Sequence, residues 1–320
     1  MQAIWSRRGE DQHLGVLAPP SLCAAGAARG KKSGNPPVSA EPICYIKCIA
    51  FFRQTEYNKR IITQHDRKGT NMKAWEKYWA GETAVLEKIR DTQGENIMKA
   101  AALLADVTER GGLIYGFGTG HSHIVIEDCF WRAATPCNYV ALTEPSLIGT
   151  FEITKSYDLE NTYELGKHIV DYHRITPNDC LIVVSNSGNN IAPVDAALRA
   201  KEKGIPVIAI TAVEYGSWLK TKHRDGVKLK DIADIVLDNC TPIGDAVTEI
   251  EGVPMKIGSS STAAMVYLQN MILTEMVELL AERGLEADVY YNGHLAFMDE
   301  EYASHNNKMV DKYFYRIRNL

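Results

Sequence analysis

Nowhere does the chain carry an apolar run approaching the roughly 18–20 residues that a membrane-spanning helix needs. It has no excess of basic residues either: 35 Lys and Arg stand against 40 Asp and Glu, a net charge of −5, so the chain as a whole offers no nucleic-acid signature. It has seven cysteines, an odd number, and no C-x-x-C spacing. Several of them sit inside apolar runs, which predicts reduced thiols in a cytoplasmic protein rather than a disulfide framework. No internal repeat is evident. Arg7-Arg8 is followed by no apolar stretch where an export signal requires one.

What is present is enough for a large core. The 320 residues are 45% apolar and 23% charged, the balance of a soluble globular protein. The charge is unevenly spread. Residues 1–71 hold 11 basic and 5 acidic residues, a balance of +6, and the rest of the chain stands at −11. Those first 71 residues mix Pro-Pro, Gly, Ala and basic residues without helical or strand periodicity. They are expected to form an extension outside the folded domain, disordered or not part of the native protein. In the latter case translation starts at Met72, and Arg67-Lys68-Gly69 reads as a purine-rich ribosome-binding site translated in error. A targeting or partner-binding arm is the alternative. Residues 72–320 are expected to form one domain with leading helices and a polar C-terminal tail.

The strongest local pattern is Leu181-Ile182-Val183-Val184-Ser185-Asn186-Ser187-Gly188-Asn189-Asn190. A short apolar, β-branched run bounded by turn residues predicts a buried parallel strand. Pro193 then suits the first turn of a helix, where its missing N–H is not needed. A strand, a polar loop and a helix N-terminus together present free N–H groups and a helix dipole to an anion. The loop itself has no Lys or Arg, so those dipoles would have to balance the charge. As a plain helix cap, the same residues would be ordinary.

The remainder alternates. Helices are expected from Lys73 to Arg110, broken after Thr92, and a strand at 113–117. Gly118-Thr119-Gly120-His121-Ser122-His123 forms a second Gly-rich loop, followed by a helix to about Ala134. Val140-Ala141-Leu142 is a strand, 161–173 a helix, and 205–210 and 234–237 further strands. A Pro- and Gly-bearing loop precedes Ser259-Ser260-Ser261-Thr262, which caps a long helix ending near Gly284. Alternating strands and helices predict an α/β fold with a doubly wound parallel sheet, whose ligands bind at the carboxyl ends of the strands.

The first loop is not a dinucleotide fingerprint, because His121 stands where the third glycine of G-x-G-x-x-G belongs, and G-K-[ST] is absent throughout. It offers instead Ser122 beside His121 and His123. Glu127 lies four residues after His123, on the same helix face. A carboxylate near an imidazole at the mouth of an anion site suits proton transfer. The same pair could hold a divalent metal, but the sequence supplies no convincing third ligand, so no metal or other cofactor is expected. For Asp128, a favourable acid near a helix N-terminus is the simpler reading.

These two loops, in this order, resemble the SIS (sugar isomerase) domain family, and in particular its UPF0309 group. Further matching segments are Thr92-Gln93, 117–127, Glu144-Pro145-Ser146-Leu147, Asp238-Asn239, 242–246 and 249–252. The resemblance covers Met72 to about Leu285. It implies a three-layer αβα sandwich around a five-stranded parallel, flavodoxin-like sheet, self-associated as a dimer or tetramer. It implies that Ser185, Asn186, Ser187, Gly188, Asn189 and Asn190 hold the phosphate of a sugar phosphate, with Ser122 from the first loop. Asn190 departs from the Ser or Thr of many relatives. Gly118, Thr119, Gly120, Glu144, Ser259, Ser260 and Thr262 are expected as further substrate contacts. The expected activity is an aldose–ketose isomerisation through an enediol, with Glu127 as base and His123, or else His121, moving the hydroxyl proton. Glu144, Asp245, Glu249 and Glu251 are rivals for such roles, and His294 and His305 in the tail could reach a neighbour's site in an oligomer. A lyase or etherase acting on an amino-sugar phosphate is the alternative, and a non-catalytic sugar-phosphate sensor a further one.

Overall fold

Cys180–Val184 (β3) is buried along its whole length, as a strand covered on both faces must be. Its side chains alternate between two hydrophobic cores: Ile182 and Val184 join one, Leu181 and Val183 the other. A computed structural model of the protein describes residues 72–150 and 152–318. The expectations for residues 1–71 therefore lie outside the described residues.

Around β3 lie Ile114–Gly118 (β1), Tyr139–Leu142 (β2), Val207–Thr211 (β4) and Ile235–Asp238 (β5). All neighbouring pairs are parallel, in the order β2-β1-β3-β4-β5. This is the flavodoxin-like order, with its switch point between β1 and β3. One face carries Ala74–Thr92 (α1), Gly94–Glu109 (α2), Ser122–Asp128 (α3) and the long helix Ser261–Glu282, α9 in the numbering below. Ala264, Leu268, Ile272 and Met276 of that long helix form a stripe at helical spacing that packs in one core with Ile89 and Leu104.

Between β2 and β5 run Ile153–Glu160 (α4), Leu165–Tyr172 (α5), Ile191–Glu202 (α6), Val213–Trp218 (α7) and Leu229–Ile232 (α8). Ile169 and Val170 of α5 and Ala196, Ala197 and Ala200 of α6 close the opposite face. Gly166 lets α5 meet α6 closely, since a Cβ there would lie 2.0 Å from the Ala192 carbonyl oxygen. The three-layer αβα architecture is as the resemblance implied.

Four local expectations need correction. The helix expected over 161–173 starts only after Glu164, whose φ is +70°, and an unexpected helix, α4, precedes it and ends at Glu160, where Asn161 and Thr162 bond back to the Tyr157 and Asp158 carbonyls. The helix expected to reach Ala134 stops at Asp128, because residues 134–137 pair instead with the backbone of Tyr290 and Asp288. The loop after Pro242 contains an antiparallel hairpin, Ala246–Thr248 (β6) with Ile257–Ser259 (β7). The tail is ordered by Glu300–Tyr313 (α10). There His305 stacks on Tyr291 at 3.6 Å and its Nε2 donates to the Val289 carbonyl, so its ring holds the tail.

One residue of α1 is costly. Both carboxylate oxygens of Glu82 are buried with no hydrogen-bond partner among the described residues. Burial, reinforced by Asp245, pushes its pKa up from the ordinary 4.5 to about 7. Between those values the folded chain keeps a proton that the unfolded chain releases, so stability falls as pH rises through that window. Glu82→Gln should therefore raise the melting temperature by a few degrees at pH 8, with the gain closing toward pH 5. Melting curves showing the same gain at both pH values would refute this account.

Candidate functional site at the carboxyl edge of the sheet

The register of β1 on β3 pairs Gly118 with Val184, so the two Gly-rich loops leave adjacent strands at the same level. The first loop curls tightly: a Cβ on Gly118 would lie 2.7 Å from the Ser122 carbonyl oxygen. Ser122 and His123 are buried. His123 Nδ1 bonds to the Gly120 carbonyl, which can only accept. The neutral ring therefore carries its proton on Nδ1 and leaves Nε2 as an acceptor. Gly120 N–H donates to the Leu147 carbonyl at 2.8 Å, tying this loop to the short 3₁₀ turn Pro145–Leu147 after β2.

The second loop is fixed from three sides. Gly188 N–H donates to Ser185 Oγ at 3.2 Å. The Asn186 carbonyl accepts from Ala212 N–H, and its Oδ1 accepts from Asn239 Nδ2 at 2.8 Å and Thr241 Oγ1 at 3.1 Å. Asn189 Nδ2 donates to the Lys220 carbonyl at 2.9 Å, and its Oδ1 accepts from Lys222 N–H at 3.1 Å. The side chains of Asn186 and Asn189 thus serve the protein, and what they offer an anion is backbone. The N–H groups of Ser187, Asn189 and Asn190 donate to no acceptor among the described residues, and those of Ile191 and Ala192 stand free in the first turn of α6. Five amides at one helix N-terminus suit a phosphate.

Two residues that sequence reasoning missed join the loops. Glu160, the last residue of α4, accepts from Thr119 Oγ1 at 2.9 Å on one oxygen and from Asn190 Nδ2 at 2.7 Å on the other. Burial holds its carboxyl above the usual range, although bonds from Thr119 and Asn190 and the charge of Lys222 pull it down. Lys222 donates to Asn190 Oδ1 at 2.8 Å and to Asn161 Oδ1 at 3.1 Å. No local motif marks either residue; Glu160 lies 41 positions from Thr119 and 30 from Asn190.

Other expected site residues are less well placed. Glu127 and His121 are exposed, and neither side chain makes a hydrogen bond or ion pair among the described residues. Asp128 pairs with Arg132 and accepts from Asn270 Nδ2 at 3.2 Å. Glu144 caps the 3₁₀ turn, accepting from Ser146 Oγ at 2.8 Å, and lines a cavity of about 530 Å³ with Ser146, Lys155 and Ser156. Ser260 and Ser261 are committed to Asp245, and the Ser259 carbonyl to Tyr78; the start of α9 is held by the Asp245 carboxylate, which accepts the Ser260 and Ser261 N–H groups, and not by a hydroxyl of the expected serine cap. Thr262 follows, half-buried, in its first turn. Among the described residues no three His, Cys, Asp or Glu side chains converge as metal ligands.

Comparison with known proteins gives three findings. Residues 77–212 match the SIS domain family model. The chain is 36% identical over 238 residues to a UPF0309 protein of Caldanaerobacter subterraneus subsp. tengcongensis, spanning 73% of this chain and 95% of that protein. A UPF0309 protein of Geobacillus kaustophilus is 34% identical over 234 residues, 72% of this chain and 91% of its own length. Among solved structures, a phosphoheptose isomerase from Neisseria gonorrhoeae aligns with a TM-score of 0.43 at 20% identity, over 62% of this chain and 95% of that one.

The second loop depends on Gly188, whose φ is +58° and where a Cβ would lie 2.7 Å from Thr211 Oγ1. Gly188→Ala should cost about 1–3 kcal/mol from the strained backbone alone, and more from the contact. Adding Thr211→Ala should recover the contact portion only. Urea unfolding of the single and double variants checks this; full recovery in the double variant would show that the backbone is not strained.

Proposed function

The chain belongs to the UPF0309 group of the SIS domain family, and from that premise we propose that it is a sugar-phosphate aldose–ketose isomerase. The observation that carries the reading is the pair of loops at the switch point, one presenting unpaired amides for a phosphate and both bonded to one carboxylate, Glu160. The phosphate sits against the free amides of Ser187, Asn189, Asn190, Ile191 and Ala192, with the hydroxyls of Ser122, Ser185 and Ser187 beside them. Glu160 takes the proton from the carbon next to the carbonyl, giving an enediol, and returns it to the neighbouring carbon. A carboxyl lifted by burial is better matched to that double role near neutral pH than an exposed one. This moves the proposed base from Glu127, whose side chain makes no hydrogen bond or ion pair among the described residues. His123, with Nε2 open as an acceptor, moves the hydroxyl proton between the two oxygens. His121 is its alternate.

The reading places the protein in the cytoplasm. Cys129, Cys137, Cys180 and Cys240 are buried, unpaired thiols, and among the described residues no helix is long and apolar enough to cross a membrane. The reading also includes self-association. Trp75 and Trp79, one turn apart on α1, are 69% and 61% exposed, an apolar face that a second copy would cover.

A thermal-shift screen of hexose, heptose and amino-sugar phosphates should find a stabilising ligand. Incubated with it in deuterated water, the protein should place deuterium at C1 or C2 of the sugar. Glu160→Gln should slow that exchange by about 10²–10⁴-fold, the range of general acid–base catalysis, and Glu127→Gln by far less. Release of lactate or ammonia would instead establish lyase chemistry, and binding without exchange a sensor.

A further inference from the structure

Lys222 is an exposed lysine that makes no ion pair among the described residues. Its ammonium bonds to two neutral amides, Oδ1 of Asn190 at 2.8 Å and Oδ1 of Asn161 at 3.1 Å, and stands 5.5 Å from the centre of the Tyr157 ring. An ammonium has three donors, so one stays open. The backbone beneath it is clamped to the phosphate loop and its helix. Lys222 N–H donates to Asn189 Oδ1. The next residue, His223, is buried and bonds through Nε2 to Asp195 Oδ1 of α6 at 3.1 Å, while Asp195 Oδ2 accepts Glu164 N–H at 2.6 Å. Asp225 N–H donates to His223 Nδ1, so the ring donates through Nε2. Two consecutive residues therefore bind Lys222 to the element whose N-terminus would hold the anion.

Asn190 stands between opposite charges. Its Nδ2 donates to Glu160 at 2.7 Å and its Oδ1 accepts from Lys222. A carboxamide, with its donor at one end and its acceptor at the other, bonds a carboxylate and an ammonium at once and holds them apart. A direct Lys–Glu pair would spend both charges on each other. We propose that Lys222 is the cation of the phosphate site, selecting a phosphate monoester dianion, and that Asn190 is a positioning residue that keeps Lys222 from being neutralised by Glu160. The inference rests on the reading of 185–190 as a phosphate cradle.

Calorimetric titration with inorganic phosphate at pH 8 tests it. Wild-type protein should bind phosphate. Lys222→Met should weaken binding about tenfold or more, as loss of a charge-assisted hydrogen bond does, and Lys222→Arg should restore much of it. The Met side chain leaves the backbone clamp intact. Asn190→Ala should also weaken binding, because Lys222 can then close on Glu160, and adding Glu160→Gln should recover it. Absence of phosphate binding by wild-type protein would overturn the cradle itself. Binding by Lys222→Met equal to wild type would overturn the role of Lys222 while leaving the cradle. An Asn190→Ala, Glu160→Gln double variant no better than Asn190→Ala would overturn the spacer role.

Discussion

The parallel pairing of β1 with β3 is the constraint on which the rest of the structure depends. It runs from Ile114 opposite Cys180 to Gly118 opposite Val184, so both strands end together. At a switch point the chain leaves adjacent strands toward opposite sides, and the crevice between the two exits is open to a ligand. A slip of one residue in this register would turn Ile182 and Val184 into the wrong core and displace one loop from the other. Two separate hydrophobic cores, one on each face, make such a slip prohibitively costly. The precision of the site is thus set by apolar side chains that never touch it.

Upon that frame, the site handles charge in an unusual way. The amides of the second loop supply partial positive charge without any side chain, and the side chains of Asn186 and Asn189 keep the loop in the shape that points those amides outward. Asn186 ties it to the end of β5 through Asn239 and Thr241, and Asn189 ties it to residues 220–222. Two of the polar residues that look like ligands in the sequence, Asn186 and Asn189, are therefore scaffold, and what they leave open is their loop's backbone. A backbone donor fixed in this way needs little reorganisation when an anion arrives, which is what electrostatic preorganisation requires.

Much of the fold was legible because its signals are local. Buried parallel strands announce themselves as short β-branched runs, and 181–184, 205–210 and 234–237 did so. The break after Thr92 and the stop at Gly284 followed from cap and breaker chemistry. The misread helix limits have two causes, tertiary pairing of the backbone and local closure by side chains. Residues 134–137 gave up helical bonds to pair with 288–290, and Asn161 with Thr162 closed a helix that composition alone did not reveal. The loops of the site were readable for the same reason that the strands were. Glu160 and Lys222 were not, because each lies in an ordinary amphipathic or basic stretch and acquires its place only when β2, β3 and β4 are aligned.

Asn190 shows how a departure from a family pattern can become intelligible only in three dimensions. In sequence the resemblance implies a hydroxyl at its position, and by itself it reads as a weaker phosphate donor. In the structure its carboxamide is fully engaged, one end on Glu160 and the other on Lys222. A hydroxyl in its place would have to bond both groups through one oxygen, closer together. The carboxylate that remains is half-buried with two donors on it, yet its proton affinity is still raised, because desolvation outweighs both bonds and the nearby cation. Had Lys222 contacted Glu160 directly, its charge and a further bond would pull that proton affinity down. A neutral spacer keeps the carboxyl and the ammonium apart within one small network, which is what the proposed phosphate binding and proton transfer call for.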